Sequence, residues 1–396
     1  MANTPGTPRL LRAINDRAAL ELLLEHGPVS RTQLGALAGL SKPTASQLLA
    51  RLEAADLVVQ VGLLEGSRGP SAQLYEINPK AAYVAGMDVT AQRIDVAVAD
   101  ITGKVVAEHL LPTPGRSAVG VPTRVRKALE VATGNAGLDI SDLKHVVIGT
   151  PGAINPATGQ LGYARHLPGW HSPGVLKEIR AELGVSIDME NDVNLTAIAE
   201  LWEGRALTSE NFVLLWVSEG LGLAIVLGGE IHRGATGGAG EVGYLPVPGA
   251  PLSRNASRGA DVGFQTTAGA SAVLRLARSH GLRGRTATDV VRRAAAGKDS
   301  PFLRELATRL ATGLAAIVSV LDPELIVLAG DVALGGGEVL RELTEAELYS
   351  LVLPRPTLVL SEVEGNSVRA GAIHAALAVA RDVVFGSTVP SNPSST

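Results

Sequence analysis

The sequence predicts an N-terminal winged helix-turn-helix followed by a larger α/β body of two lobes. Two observations carry this. Before residue 55, three stretches of helical apolar spacing are punctuated by caps and glycines and lead into two strands around a Gly-rich loop; from Tyr83 onward, strands alternate with helices almost to the C-terminus. With 396 residues, 46% hydrophobic and 19% charged, the chain holds enough apolar material for two or three domains. No apolar run reaches the roughly 18 residues of a membrane span. The start, MANTPGTPRLLRAINDR, lacks the hydrophobic stretch of a secretory signal, so the expected address is the cytoplasm with no membrane partner. The absence of cysteine excludes disulfides, thiol nucleophiles and cysteine-built zinc sites. Net charge is −4, with 8 basic against 7 acidic residues in 1–80 and 27 against 32 in the remainder. Bulk charge therefore does not announce nucleic acid, and a case for DNA must rest on placement.

Residues 1–8, rich in Pro and Thr, are expected to form a disordered tail, and residues 9–79 the winged domain. Residues 10–25 carry Ile14, Ala18, Leu22 and Leu23 at helical spacing, and Gly27-Pro28 ends the pattern. Ser30 followed by Gln33 reads as a capping box opening a short helix with Leu34, Leu37 and Ala38 inward, and Gly39-Leu40 makes the turn. Ser41 caps a third helix, with Pro43 in its first turn and Ala45, Leu48, Leu49 and Leu52 on one face. The other face carries Ser41, Lys42, Thr44, Ser46, Gln47 and Arg51. These are long cations for phosphate contacts and polar tips for base edges, as a helix in the major groove requires. LVVQV and AQLYEI read as strands flanking the loop from Gly62 to Ser71, a wing whose Arg68 sits among small residues and fits a narrow minor groove. The same pattern also fits a three-helix bundle with a solvated polar face, and Lys42 and Arg51 taken singly read equally well as ordinary surface charges.

Asn78-Pro79 closes the wing. The body, 80–385, opens as a meander of strands, YVAGMDV, RIDVAVAD and KVVAEHL, with a hairpin at Thr102-Gly103. A helix near 121–136, the strand HVVIG and a Gly/Pro-rich loop to Trp170 follow. VSIDME, a helix over NLTAIAELWEGRA, the strands FVLLWV and LAIVL, helices near 266–281, 287–297 and 302–321, the strand ELIVLAG and a last helix from about 368 complete it. Residues 386–396 are expected to be a second disordered tail.

Several tracts of this body resemble the ROK family (repressors, open reading frames and sugar kinases): GTPGAINPATGQ, LPGW, ENDVNLTAIAE, GEIHRGATGGAGEVGY and DPELIVLAGDVA, in the family's order across most of 81–380. The resemblance implies an actin-like ATPase fold of ribonuclease H-like type, joined to the winged helix of the family's repressor branch. It leaves open whether the chain is a repressor or a kinase.

The resemblance places the kinases' first phosphate loop, of Asp-x-Gly-x-Thr type, at Asp88-Val89-Thr90-Ala91-Gln92, where the aspartate is kept and the glycine is lost. The second, similar to Gly-Thr-Gly-x-Gly, falls on Ser218-Glu219-Gly220-Leu221-Gly222. Glu219 then puts a carboxylate where a phosphate would sit. Two like charges at ~4 Å repel by roughly 1–4 kcal/mol at dielectrics between water and a protein surface. ATP binding is therefore not expected, and Asp88 reads better as a polar strand-end residue than as a phosphate-site acid. The expected cofactor list is empty.

For the sugar pocket, the resemblance implies that Asn191 and Asp192 hydrogen-bond the sugar, Asp192 being the relic of a general base. Glu241 is a second sugar-binding carboxylate, and Gly152 lies in a loop approaching the ring. Asn191 and Asp192 also read simply as a helix N-cap with a dipole-favoured acid. The family's histidine after Glu-x-Gly is Tyr244 here, its cysteine cluster is SRNASRGADVG, a later sugar-contacting glutamate is Gln265, and the asparagine before Leu-Pro-Gly-Trp is His166. The family zinc site is thus expected to be absent, and His166, Tyr244 and Gln265 become altered contacts in an effector pocket with specificity unlike that for glucose.

The expected function is a DNA-binding transcriptional regulator, a repressor of carbohydrate-related genes. A degenerate, non-catalytic body would sense a carbohydrate effector and self-associate as homodimer or homotetramer on a pseudo-palindromic double-stranded operator. An active ATP-dependent sugar kinase and an effector-blind DNA-binding regulator are the alternatives.

Overall fold

The computed structural model describes residues 8–64, 72–113, 120–155, 158, 161–162, 167, 169–170, 172, 174–252, 262–297 and 300–386. The N-terminal domain comprises α1 (Pro8–His26), β1 (Val29–Ser30), α2 (Arg31–Leu37), α3 (Lys42–Ala54), β2 (Val58–Leu64) and β3 (Ala72–Ile77), with its sheet ordered β1-β3-β2. The capping box forms as its residues dictate: the Gln33 N–H donates to Ser30 Oγ, and the Ser30 N–H donates to Gln33 Oε1 at 2.8 Å. Gly39, at φ +64°, makes the turn into α3, where few residues with a Cβ would settle. Leu34, Leu48, Leu49 and Leu52 close a core against Leu20 and Leu23 of α1 and Tyr75 and Ile77 of β3.

Two side chains expected inside this core lie on the surface: Ile14 is 54% exposed and Leu37 47%. The buried stripe of α1 runs instead through Asp16, Ala19, Leu20 and Leu23, an i, i+3, i+4, i+7 row that turns Ile14 outward. The sequence hid this row because its first member is charged.

The first lobe of the body contains β4 (Tyr83–Val89), β5 (Arg93–Asp100), β6 (Val105–Pro112), α4 (Val121–Asn135), β7 (Leu143–Thr150), α5 (Val175–Leu183), β8 (Ile187–Asn191) and α6 (Asp192–Glu203). The second contains β9 (Phe212–Val217), β10 (Leu221–Leu227), β11 (Glu230–Ile231), α7 (Gln265–Ala268), α8 (Ala270–Ser279), α9 (Ala287–Ala295), α10 (Pro301–Leu321), β12 (Leu325–Ala329), α11 (Asp331–Leu351) and β13 (Thr357–Leu360). The chain then returns to the first lobe as α12 (Ser367–Gly386). The sheets are ordered β6-β5-β4-β7-β8 and β11-β10-β9-β12-β13, each an antiparallel meander joined to two parallel strands. The lobes thus share one plan. The turns after β4 and β9 occupy equivalent places, at the carboxyl ends of the parallel strands where open α/β sheets put their ligands.

Helices α5 and α11 and strand β13 go beyond the sequence expectation. Gly335, Gly336 and Gly337 near the start of α11 mask its periodicity, and the helix breaks at Gly337, φ +56° and ψ −158°. The single helix expected at 266–281 is two, divided at Gly269.

Helix α12 joins the parts. Its small residues let it lie close on β4 and α6, and Ala376, Ala380, Val384 and Phe385 share one apolar cluster with Ala19, Leu20 and Leu23 of α1. Arg17 Nη2 adds an ion pair with Asp382 Oδ1 at 2.7 Å. A Cβ at Gly371 would lie 1.8 Å from the Leu195 carbonyl oxygen on α6. Gly371→Ala is therefore expected to force α12 off α6 and to cost about 1–3 kcal/mol or more, read as a lowered melting temperature; an unchanged melt would refute this packing. No described helix is long and apolar enough to cross a membrane.

Candidate functional site

The polar face of α3 is set by its cap. Ser41 Oγ accepts from the Thr44 N–H and pairs with Thr44 Oγ1 at 2.8 Å, which fixes the helix start. Ser46 Oγ donates back to the Lys42 carbonyl at 2.9 Å. Lys42, Thr44 and Gln47 are exposed, and among the described residues the side chains of Lys42 and Gln47 have no intramolecular partner. Arg51 is placed differently from the expectation of a DNA contact: its Nη2 donates to Asp16 Oδ1 at 2.6 Å, and that aspartate side chain is only 5% exposed. Arg51 thus ties α3 to α1, and the buried carboxylate explains why. Arg51→Ala would leave Asp16 charged and unpartnered, costing about 1–3 kcal/mol of the domain's stability. A melting temperature equal to wild type would contradict this role. Arg68 lies outside the described residues.

The second candidate site is the cleft between the lobes, about 1160 Å³, lined at one end by Gly152, Asn191, Asp192 and Glu241. Asn191 ends β8 and caps α6. Its Oδ1 accepts from the Val193 and Asn194 N–H groups at 2.9 and 3.1 Å, while its Nδ2 donates to the Gly152 carbonyl at 3.1 Å. Capping thus fixes the residue without removing it from the cleft. Glu241 follows Gly240, which at φ +92° lies so close to β10 that a Cβ would fall 1.8 Å from the Leu223 carbonyl. Only glycine fits there, and the loop is pinned by Leu223 N–H donating to the Gly240 carbonyl at 3.0 Å. Burial pushes the Asp192 carboxyl up to about 7. The Val193 N–H opposes the rise, and the carboxylates of Asp88 and Glu241 reinforce it. Burial raises Glu241 as well.

The other end of the cleft holds the two equivalent turns. After β4, Thr90 Oγ1 accepts from the N–H groups of Gln92 and Arg93 at 3.3 and 3.2 Å, so both amides of this turn already have an acceptor. After β9, Glu219 and Gly220 line the cavity, with Asp331 at the start of α11. Asp88 accepts from Asn366 Nδ2 at 2.9 Å and Arg93 Nη2 at 3.3 Å. Asn366 also reaches Asp95, which Arg369 holds at 2.8 Å while bonding Glu108 at 2.6 Å. Burial is nonetheless the largest influence on Asp88 and raises its pKa.

A family model described as "ROK family" matches residues 84–380, and one described as "MarR family" matches residues 13–68. The chain belongs to the ROK family. Among curated ROK relatives, a putative xylose repressor of Caldicellulosiruptor sp. (strain Rt8B.4) is 23% identical over 355 residues, 85% of this chain and 88% of that protein. A glucokinase of Halalkalibacterium halodurans is 27% identical over 294 residues, 68% of this chain and 86% of that protein. A ROK family transcriptional regulator, described as a homolog of the E. coli MLC protein, superposes with a TM-score of 0.74 at 22% identity, covering 96% of this chain and 99% of its own. That likeness shows the fold, winged domain included.

Within the ROK body, the expected pocket residues divide. Gly152, Asn191, Asp192 and Glu241 meet at the cleft, whereas Tyr244 and Gln265 are not among its lining residues, and His166 lies outside the described residues. Tyr244 ends a short turn, and its N–H donates to the Glu241 carbonyl at 3.2 Å. Gln265 is a strap for the β9–β10 turn, its Oε1 accepting from the Leu221 N–H at 2.8 Å and its Nε2 donating to the Glu219 carbonyl at 3.2 Å. Both amide atoms are taken by backbone, which a glutamate at this position would not achieve because it has no N–H to give. Sequence reasoning missed Glu190. Its Oε1 accepts from the Asn191 N–H and Asn194 Nδ2, and its Oε2 from Arg233 Nε at 2.6 Å, so it ties the end of β8 and the start of α6 to the loop before Glu241. The signal lay in the tract ENDVNLTAIAE, of which Glu190 is the first letter. Asn366 was also missed, and no sequence motif marks it.

Proposed function

We propose that this ROK protein is a DNA-binding transcriptional repressor of carbohydrate-related genes, whose body senses a sugar in the interlobe cleft and does not transfer phosphate. The observation that supports the reading is the pairing of the exposed, unpartnered Lys42 and Gln47 on α3 with a cleft that keeps Asn191, Asp192 and Glu241 as acceptors, while the β4 turn amides are engaged by Thr90 Oγ1 and the β9 turn carries Glu219. Transfer needs a held phosphate as well as an aligned hydroxyl, whereas sensing needs only the acceptors. The curated relative named a putative xylose repressor is matched over 85% of this chain, against 68% for the glucokinase, which supports the regulatory reading over the kinase one.

Helix α12 supplies the connection. Its N-terminus, Ser367 and Val368, lines the cleft beside Asn366, and its far end packs on α1, some 30 Å away by the rise of an α-helix. Closure of the lobes on a sugar displaces the near end of this rod and with it the winged domain. A homodimer then presents its two α3 helices at a changed spacing, so that affinity for a pseudo-palindromic operator changes. Such coupling requires the sugar to bind one closure better than the other. In a coupled ADP-release assay with a panel of sugars the chain is expected to show no turnover; sugar-dependent ADP release would favour the kinase reading. The same sugars should shift the chain's melting temperature, and a cleft deaf to all of them beside normal DNA binding would favour an effector-blind regulator.

A further inference from the structure

We propose that the half of the cleft between the Thr90 and Glu219 turns is a subsite for the second unit of an uncharged di- or oligosaccharide, so that the effector spans both lobes and carries no phosphate. The inference deepens the sugar-sensing reading and rests on it.

Size is the first argument. At about 1160 Å³ the cleft exceeds the roughly 300–1,000 Å³ of a pocket for a drug-sized ligand, itself larger than one sugar ring. The residues with sugar-binding chemistry, Gly152, Asn191, Asp192 and Glu241, account for one end only. The remainder runs past Asp88 to Thr90, Trp216, Glu219 and Asp331.

Charge is the second. Of the described lining side chains, Asp88, Asp95, Asp192, Glu219, Glu241 and Asp331 are acids, and Arg93, already bonded to Asp88, is the one cation among them. Asn366 and Arg369 satisfy Asp88 and Asp95, but among the described residues Asp192, Glu219, Glu241 and Asp331 have no cationic partner. A phosphate ester entering here would meet several carboxylates in a partly desolvated space, and the Gln92 and Arg93 amides of the β4 turn are already engaged by Thr90 Oγ1. Sugar hydroxyls reverse the balance, since they bring many donors and no negative charge to surplus acceptors. Trp216, half-buried and lining the cleft, adds apolar surface beside the polar groups, as a ligand with one apolar and one hydroxylated side requires.

The test is calorimetric titration of the full chain with xylose, glucose and N-acetylglucosamine, the disaccharide of each, and a phosphate ester of each. At least one disaccharide is expected to bind roughly tenfold or more tighter than its monosaccharide, with the esters weakest, because each added hydrogen bond to a charged acceptor is worth about that factor. Glu219→Gln and Asp331→Asn, both at exposed positions and so tolerable to the fold, should remove most of the disaccharide advantage while leaving monosaccharide affinity unchanged. Equal affinity for one and two units, or a phosphate ester binding tightest, would overturn the subsite while leaving sugar sensing intact. Heat evolved with ATP would overturn it as well, by giving this half of the cleft to a nucleotide. If no member of the panel binds, the subsite and the sugar-sensing reading fall together.

Discussion

Replacing Asp192 with Asn is expected to abolish most of the response to sugar while operator binding without sugar stays at the wild-type level. Asp192 stands at the start of α6 in the cleft, far from the winged domain, so its loss should act on the ligand rather than on DNA. A hydrogen bond from a sugar hydroxyl to a charged acceptor contributes about 1.5–3 kcal/mol, which is roughly a 10- to 150-fold loss of sugar affinity in the variant. The pH dependence separates this role from a merely structural one. Burial holds the carboxyl near 7, above its ordinary 3.8, so the folded state favours the protonated form; that stabilisation is complete below the ordinary value and is lost as pH rises through about 7. The amide introduced by Asp192→Asn would resemble the protonated acid at every pH. The variant should therefore melt a few degrees above wild type near pH 8, where wild type carries a buried charge, and the gap should narrow steadily as pH falls toward the ordinary value of 3.8. Sugar affinity should move the other way: in wild type it falls up to about tenfold per unit as pH drops below 7, and in the variant it stays flat. A variant with wild-type sugar response at pH 8, or with a melting profile parallel to wild type, would remove Asp192 from the effector site.

Replacing Lys42 and Gln47 with Ala is expected to give the largest loss of DNA binding of any pair of substitutions on the described surface. Gln47 is exposed and unpartnered in the middle of α3, and a bidentate contact from such an amide to a base discriminates by about 1–3 kcal/mol. Lys42, exposed in the first turn, has the charge and reach to meet a phosphate, so its loss is expected to weaken all sequences alike and lower the salt slope by about one. The pair is a cleaner test than any that includes Arg51, because truncating Arg51 strands the buried carboxylate of Asp16 and confounds folding with recognition. Fluorescence anisotropy against a selected operator reads both effects, and circular dichroism checks that the fold is kept. Wild-type affinity in the folded double variant would place the recognition surface elsewhere.

Local chemistry made much of this legible in the sequence. Ser30 with Gln33, Ser41 with Pro43, and the leucine row of α3 announced the winged domain because caps and helical period act over a few residues. The tract ENDVNLTAIAE announced the cleft because Asn191 both ends a strand and caps the next helix. What stayed hidden depends on partners distant in sequence. Arg51 looked like a DNA contact because Asp16, 35 residues away, cannot be paired with it from spacing alone. Gln265 looked like an altered sugar contact because its true partners are backbone atoms of the β9–β10 turn, 44 and 46 residues earlier. Asn366 drew no attention because bridging Asp88 and Asp95 across more than 270 residues leaves no local pattern. Helix α11 was lost to its own glycines.

The measurement that bears most directly on the central claim is selection of bound duplexes from a random library by the purified chain, carried out without sugar and again with the mono- and disaccharide panel. The account predicts enrichment of a two-fold-symmetric motif in the absence of sugar and its loss or marked weakening with one member of the panel. Failure to enrich any motif, or an enrichment that no sugar alters, would contradict a sugar-controlled DNA-binding regulator.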